Sequence, residues 1–299
     1  MLVFISAYSF GQADYIFKNV NIIPMNGNKV LKNQSLTVKD GKIVDIEKNI
    51  KIKAKIIIDA KRKYLMPGLS DAHIHFPNNQ EEFEKMLKLN LINGITKIRS
   101  MRGKWDDLEL RKKFNAANSY YPKLYLSPPA MHRSFNMTSE ELEQYVKSAK
   151  DNGMDYIKIL SIKNGDMLKT LSNLCIQYNI MLGGHFPSSK ENSEFTDSLI
   201  FSKNFKFIEH LGGLIDEPEF YESRINTIKK NNIFICPTLQ WYAISYGQYG
   251  IDEMLHQRGM EYIPKEISSD WAEKSRQYRA KLGVEGFEKE KTQYAVEMQ

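Results

Sequence analysis

Two histidines one residue apart, His73 and His75, close an apolar run in Tyr64–Pro77, YLMPGLSDAHIHFP. In an extended strand, side chains at i and i+2 share a face. Both imidazoles then point one way and Ile74 the other. A pair of imidazoles at this spacing can grip one metal ion, and imidazole suits zinc, iron and nickel. The bare tripeptide also fits two surface histidines at a strand end. Met66-Pro67-Gly68-Leu69 and Asp71, two residues before His73, favour the ligand reading.

Three more residues could join this pair. Lys158 lies in the run Tyr156–Leu160, His185 ends Ile180–His185, and His210 ends Phe205–His210. Taken singly, His185 and His210 fit surface or packed histidines, and Lys158 fits a lysine snorkelling from a strand. Taken together at strand ends, they would bring four imidazoles and one amine to one place.

The elements that must position them are visible as a change of pattern near Pro67. Residues 14–66 read as short strands, with Asp40-Gly41 as a hairpin turn before Lys42–Ile46. From 67 onward, apolar runs alternate with helical stretches. The runs are the one ending at His75, then Gly94–Arg99, Lys123–Leu126, Tyr156–Leu160, Ile180–His185, Phe205–His210 and Ile233–Pro237. Such alternation implies βαβ units and a parallel sheet. The expected fold is α/β: a (β/α)8 TIM-type barrel lacking its eighth strand over 67–299, with a small β-sandwich portion over 14–66. A doubly wound sheet is the alternative, but histidines ending three separate strands favour closure around one centre. From Asp252 the chain reads as helical, and no further apolar β-run precedes Gln299. A missing strand would leave two unpaired edges.

Composition narrows the function classes. The chain has 299 residues, 42% hydrophobic and 26% charged, which is ordinary for a soluble globular protein. Its net charge of +6 comes from lysines scattered among acidic residues, and no nucleic-acid motif accompanies them. Nucleic acid is therefore not expected as a partner. Cys175 and Cys236 lack zinc-type spacing and give no compartment. Met1–Ala13 is a short apolar run ending in small and polar residues, which points to export to the periplasm or beyond. The alternatives are a buried first strand and a cytoplasmic protein. No later segment approaches the ~20 apolar residues of a membrane span.

These motifs together resemble the amidohydrolase superfamily of metal-dependent hydrolases, in particular its imidazolonepropionase-like and Xaa-Pro dipeptidase-like branch. The matching residues are Asp40-Gly41-Lys42-Ile43, Pro67-Gly68-Leu69, Asp71-Ala72-His73-Ile74-His75, Gly94-Ile95-Thr96, Tyr156-Ile157-Lys158, Gly184-His185 and Glu209-His210. The resemblance implies that His73 and His75 bind the more buried of two divalent metals, and that His185 and His210 bind the second. The metals would be zinc, with manganese or iron as alternatives. Lys158 would correspond to the lysine that many members carboxylate to bridge them.

The implied chemistry is cleavage of a C–N bond, in an amide or peptide-like small molecule, by a metal-bound hydroxide. The family's eighth-strand aspartate has no candidate here, since neither Asp252 nor Asp270 ends an apolar strand. A catalytically inactive, truncated relative is therefore a second reading. A mononuclear deaminase with Lys158 incidental is a third. Arg99-Ser100-Met101-Arg102 also departs from the Arg-Asp-Met-Gly common in relatives, although it contains none of the expected ligands. His132, after the third barrel strand, and Tyr242, after the seventh, are candidate substrate contacts. A homo-oligomer is compatible with the sequence.

Overall fold

The hairpin at Asp40-Gly41 forms because both residues take left-handed backbone angles, φ 50° and 72°, as a two-residue turn between antiparallel strands requires. It belongs to the first of two compact units into which the chain divides at Leu69/Ser70. The computed structural model describes residues 12–117, 119–190, 192–201, 204–245 and 247–297. Residues 1–11 of the expected export signal lie outside this range.

In the first unit, β1 (Ala13–Ile22), β2 (Leu31–Lys39), β3 (Lys42–Glu47) and β4 (Ala54–Asp59) form a sheet in the order β3-β2-β1-β4. The short β5 (Tyr64–Leu65) also pairs with β1. β1 is one continuous strand, because Asn19, at φ 54°, carries the chain through an irregularity rather than a turn. Val20, Ile22 and Leu36 form this unit's buried cluster.

The second unit alternates strand and helix. Its strands are β6 (Leu69–Ile74), β7 (Ile95–Ser100), β8 (Lys123–Tyr125), β9 (Tyr156–Ile159), β10 (Met181–Gly184), β11 (Phe205–Glu209) and β12 (Phe234–Cys236). Between them run α1 (Gln80–Ile92), α2 (Asp107–Phe114), α3 (Ser139–Asp151), α4 (Gly165–Gln177), α5 (Asp197–Ile200) and α6 (Tyr221–Asn231). All seven apolar runs are strands, so the α/β class with parallel pairing holds.

The continuous barrel wall does not. The strands form two sheets, β6-β7-β8 and β9-β10-β11-β12, and among the described residues no barrel closes. The physical cause lies after β8, where Pro128 and Pro129 cannot donate to a ladder. Pairing resumes past them. Asp155 N–H donates to Leu126 O, Met131 N–H to Lys158 O, and Leu160 N–H to Met131 O, at 2.8–2.9 Å. These bonds tie the two sheets at the β8–β9 boundary.

Burial on both faces explains the near-continuous apolar strands. In β9, Ile157 and Ile159 pack into the large core with Leu168, Leu171 and Val146 of the helices. Tyr156 lies on the opposite face and packs with Phe207 and Met101. After β12 come α7 (Leu239–Ser245), α8 (Ile251–Leu255) and α9 (Lys265–Glu297), the last broken at Gly283 (φ 68°, ψ 175°). No helix among the described residues is long and apolar enough to cross a membrane.

Candidate metal centre

Strand periodicity decides which side chains meet. In β9, Lys158 shares the face of Tyr156, away from the helices, and is only 2% exposed. Its register partner on β10 is Gly183, which also pairs with Phe207 of β11. A Cβ on Gly183 would lie 2.2 Å from Phe207 O and 2.6 Å from its ring. Only glycine lets β10 pass this closely between the strands that carry Lys158 and Phe207.

His73 is the next-to-last residue of β6, and His75 lies just beyond its end. Their ring centroids are 5.4 Å apart. His210, just past β11, lies 4.6 Å from His73, and His185, just past β10, lies 4.9 Å from His210. The four imidazoles expected from the sequence are thus brought together from three strand ends. His210 holds its position with a left-handed φ of 67°, uncommon for a residue with a side chain. Its Nδ1 is 2.6 Å from Thr238 Oγ1, and its N–H donates to Cys236 O at 2.9 Å.

The electrostatics favour neutral imidazoles. Burial, and then the charge of Lys158, push His73 down to about 2, His185 to about 3 and His210 to about 4. His75 is lowered by the same two causes. Lys158 itself is pushed down to about 8, by burial first and by Arg99 second. Among the described residues, its ammonium has no hydrogen bond or ion pair. Four unprotonated imidazoles, with a lysine of lowered pKa acting on each of them, are a donor set suited to divalent first-row metals.

Three residues near this cluster were not expected there. Glu209, fully buried, faces His73 with Oε2 2.6 Å from Nδ1, and its other oxygen is paired with Arg99. Cys236 is the register partner of Glu209 on β12. Ligand-type atoms of His73, Glu209 and Cys236 all lie within 4.8 Å of one another. One signal was available in the sequence: in Phe205-Lys206-Phe207-Ile208-Glu209, alternation puts the glutamate on the face of the two phenylalanines. A carboxylate there needs a partner.

The two candidate substrate contacts, His132 and Tyr242, both make hydrogen bonds within the chain. His132 is half-buried in its own loop, where its Nδ1 is 2.7 Å from Ser134 Oγ and its ring packs on Phe135. Tyr242 is 6% exposed, and its hydroxyl accepts from the N–H groups of Leu211 and Gly212 at 3.1 and 3.2 Å. It anchors the backbone that follows His210. Its neighbour Trp241 is 57% exposed and lies 5.9 Å from the His210 ring.

Comparison with known proteins bears on the fold. No family profile matches the chain. A 5'-deoxyadenosine deaminase of Methanosarcina acetivorans is 42% identical over 64 residues, which is 21% of this chain and 15% of the deaminase. An adenine deaminase of Lysinibacillus sphaericus is 24% identical over 189 residues, 58% of this chain and 32% of that one. The chain therefore spans only a fraction of the curated relatives it matches. Among solved structures, a bottromycin amidohydrolase superposes with a TM-score of 0.66 at 17% identity, covering 93% of this chain and 63% of that chain. A Xaa-Pro dipeptidase superposes with a TM-score of 0.60 at 16% identity, covering 88% and 74%. The solved structures that this fold resembles are members of the amidohydrolase superfamily, consistent with the motifs that pointed to it.

Proposed function

We propose that the chain is a metal-dependent hydrolase acting on a C–N bond of a small or peptide-like molecule. The observation that carries this reading is the convergence of four neutral imidazoles within electrostatic reach of buried Lys158. The names of its relatives support the same kind of chemistry, since they include deaminases, allantoinases and a dihydroorotase. We read the two sheets as the arc of an incomplete (β/α)8 barrel whose strand ends form the site.

His73, His75, His185 and His210 would hold the metal, zinc in the first instance and manganese or iron otherwise. A divalent ion in this position supplies Lewis acidity toward the carbon that bears the leaving nitrogen. Lys158, with its depressed pKa, is the residue to which we assign carboxylation, because a neutral amine is what attacks CO₂. Carboxylation, with release of the amine proton, would also replace a buried cation by an anionic oxygen donor. The exposed Trp241 indole offers a flat apolar wall beside His210 for the substrate. We retain the export inferred from Met1–Ala13 as part of this proposal.

The test is metal content together with turnover. The purified chain is loaded with Zn²⁺ or Mn²⁺ and offered dipeptides, cyclic amides and adenine nucleosides, with product amine or ammonia measured. We expect stoichiometric metal and metal-dependent release from at least one class, both lost in His73→Ala. Failure to hold metal overturns the proposal. A second reading, a metal-binding chain without turnover, rests on one observation. Among the described residues no strand follows β12, and no aspartate is assigned to carry the proton. Stoichiometric metal without turnover on any class would favour it.

A further inference from the structure

Glu209 has two oxygens and two different partners. Oε2 lies 2.6 Å from His73 Nδ1, and Oε1 is ion-paired with Arg99 Nη2. A carboxylate only accepts hydrogen bonds, so at Nδ1 the imidazole must donate. Neutral His73 then carries its proton on Nδ1 and has a bare lone pair on Nε2.

Arg99 is itself fixed on several sides. Its Nε donates to Ala72 O at 3.0 Å, beside His73 on β6. Its guanidinium carbon lies 4.5 Å from the Phe207 ring centroid and 5.3 Å from that of Tyr156. Phe207 shares a face of β11 with Glu209, and Tyr156 shares a face of β9 with Lys158. The Tyr156 hydroxyl in turn donates to Ser100 O at 2.6 Å. Four strands therefore contribute to holding one carboxylate against one imidazole.

We infer that Glu209 and Arg99 form a tautomer lock, which keeps His73 in the Nδ1–H form and presents Nε2 to the metal centre. Glu209 is thus a positioning residue rather than a ligand, although it lies within ligand distance of His73 and Cys236. Two oxygens already engaged by a guanidinium and an imidazole N–H leave little basicity for a metal ion. A carboxylate behind a ligating histidine fixes the ring and raises its basicity. The link to metal rests on the proposed function, but the lock does not need a metal to be observed.

Glu209→Gln tests it with almost no change of volume. Arg99 can only donate, so it claims the amide oxygen. The amide NH₂ then faces His73 Nδ1, which must accept, and the proton moves to Nε2. Long-range ¹H–¹⁵N NMR on ¹⁵N-histidine-labelled chain, without metal, reads the tautomer directly, with His73→Gln identifying the signal among the six histidines. We expect Nδ1–H in wild type, Nε2–H in Glu209→Gln, and Nδ1–H restored in Glu209→Asp. Co²⁺ titration should show affinity weakened roughly 10–100-fold in Glu209→Gln and closer to wild type in Glu209→Asp.

An Nε2–H tautomer in wild type overturns the lock, and that measurement needs no variant to fold. So does a folded Glu209→Gln whose His73 keeps Nδ1–H. A wild-type chain that shows the tautomer switch but takes up no Co²⁺ upholds the lock and sinks the metal reading.

Discussion

The indole of Trp241 lies 5.9 Å from the imidazole of His210, centroid to centroid and tilted by 51°. It is the tryptophan in contact with the histidine cluster, whereas Trp105 packs against Tyr145. Paramagnetic ions quench nearby indoles, so Co²⁺ or Cu²⁺ held by His210 should quench Trp241. We expect saturable quenching in wild type, loss of the metal-dependent component in Trp241→Phe, and unchanged metal stoichiometry in that variant. Full quenching that persists in Trp241→Phe would place the ion elsewhere.

Tyr242, adjacent in sequence, has the opposite role. Its buried hydroxyl accepts two backbone N–H groups immediately after His210. Tyr242→Phe leaves those donors without their acceptor and should cost roughly 1 kcal/mol, because Gly212 is exposed enough for water to compensate in part. Trp241→Ala, by contrast, should leave stability within about 0.5 kcal/mol. Urea midpoints at constant m-value separate the two.

Much of this was legible in the sequence, and for a definite reason. The strands of the second unit are short apolar runs, and β6, β10 and β11 each have a histidine at or just past their end, a pattern that survives without tertiary information. His73, His75, His185 and His210 could be named because each closes such a run. Glu209 could not be given a role, because the identity of its partners depends on how β7, β6 and β11 approach one another. Arg99 lies near the end of β7, where the sequence begins to depart from relatives, and its bond to the carboxylate behind His73 is long-range. Tyr242 and Trp241 differ by one helical position, and sequence spacing alone did not tell which of them faces the cluster.

Acidification should destabilise the metal-free chain in a defined window. In the unfolded state imidazoles take up protons near 6.5. In the folded state His210 resists to about 4, His185 to about 3 and His73 to about 2. Between these limits the unfolded chain binds more protons, so stability rises with pH there and is lost as pH falls from about 6.5 toward 4. Each group contributes a slope of up to about 1.4 kcal/mol per pH unit. Chemical denaturation at a series of pH values should show this fall in wild type and a shallower one in His73→Gln/His210→Gln. Parallel profiles would mean that these imidazoles are not held neutral.

Lys158 gives the complementary signature on the alkaline side. Its folded pKa of about 8 lies below the ordinary 10.5, owing to burial first and the Arg99 charge second. Between those values the unfolded chain holds the extra proton, so the Lys158 contribution to stability increases as pH rises from about 8 to 10.5. Removing a buried cation that lacks a carboxylate partner should therefore stabilise the metal-free fold near neutral pH. We expect Lys158→Met to raise unfolding free energy by about 1–3 kcal/mol at pH 7, with the gain shrinking toward pH 10. The same substitution should lower metal loading, because the residue that could become a bridging anion is gone. A variant more stable as apoprotein yet poorer in metal is the pattern of a strained functional group. If Lys158→Met instead destabilises the apoprotein and leaves metal content unchanged, the lysine is a packing element and its role in the centre falls.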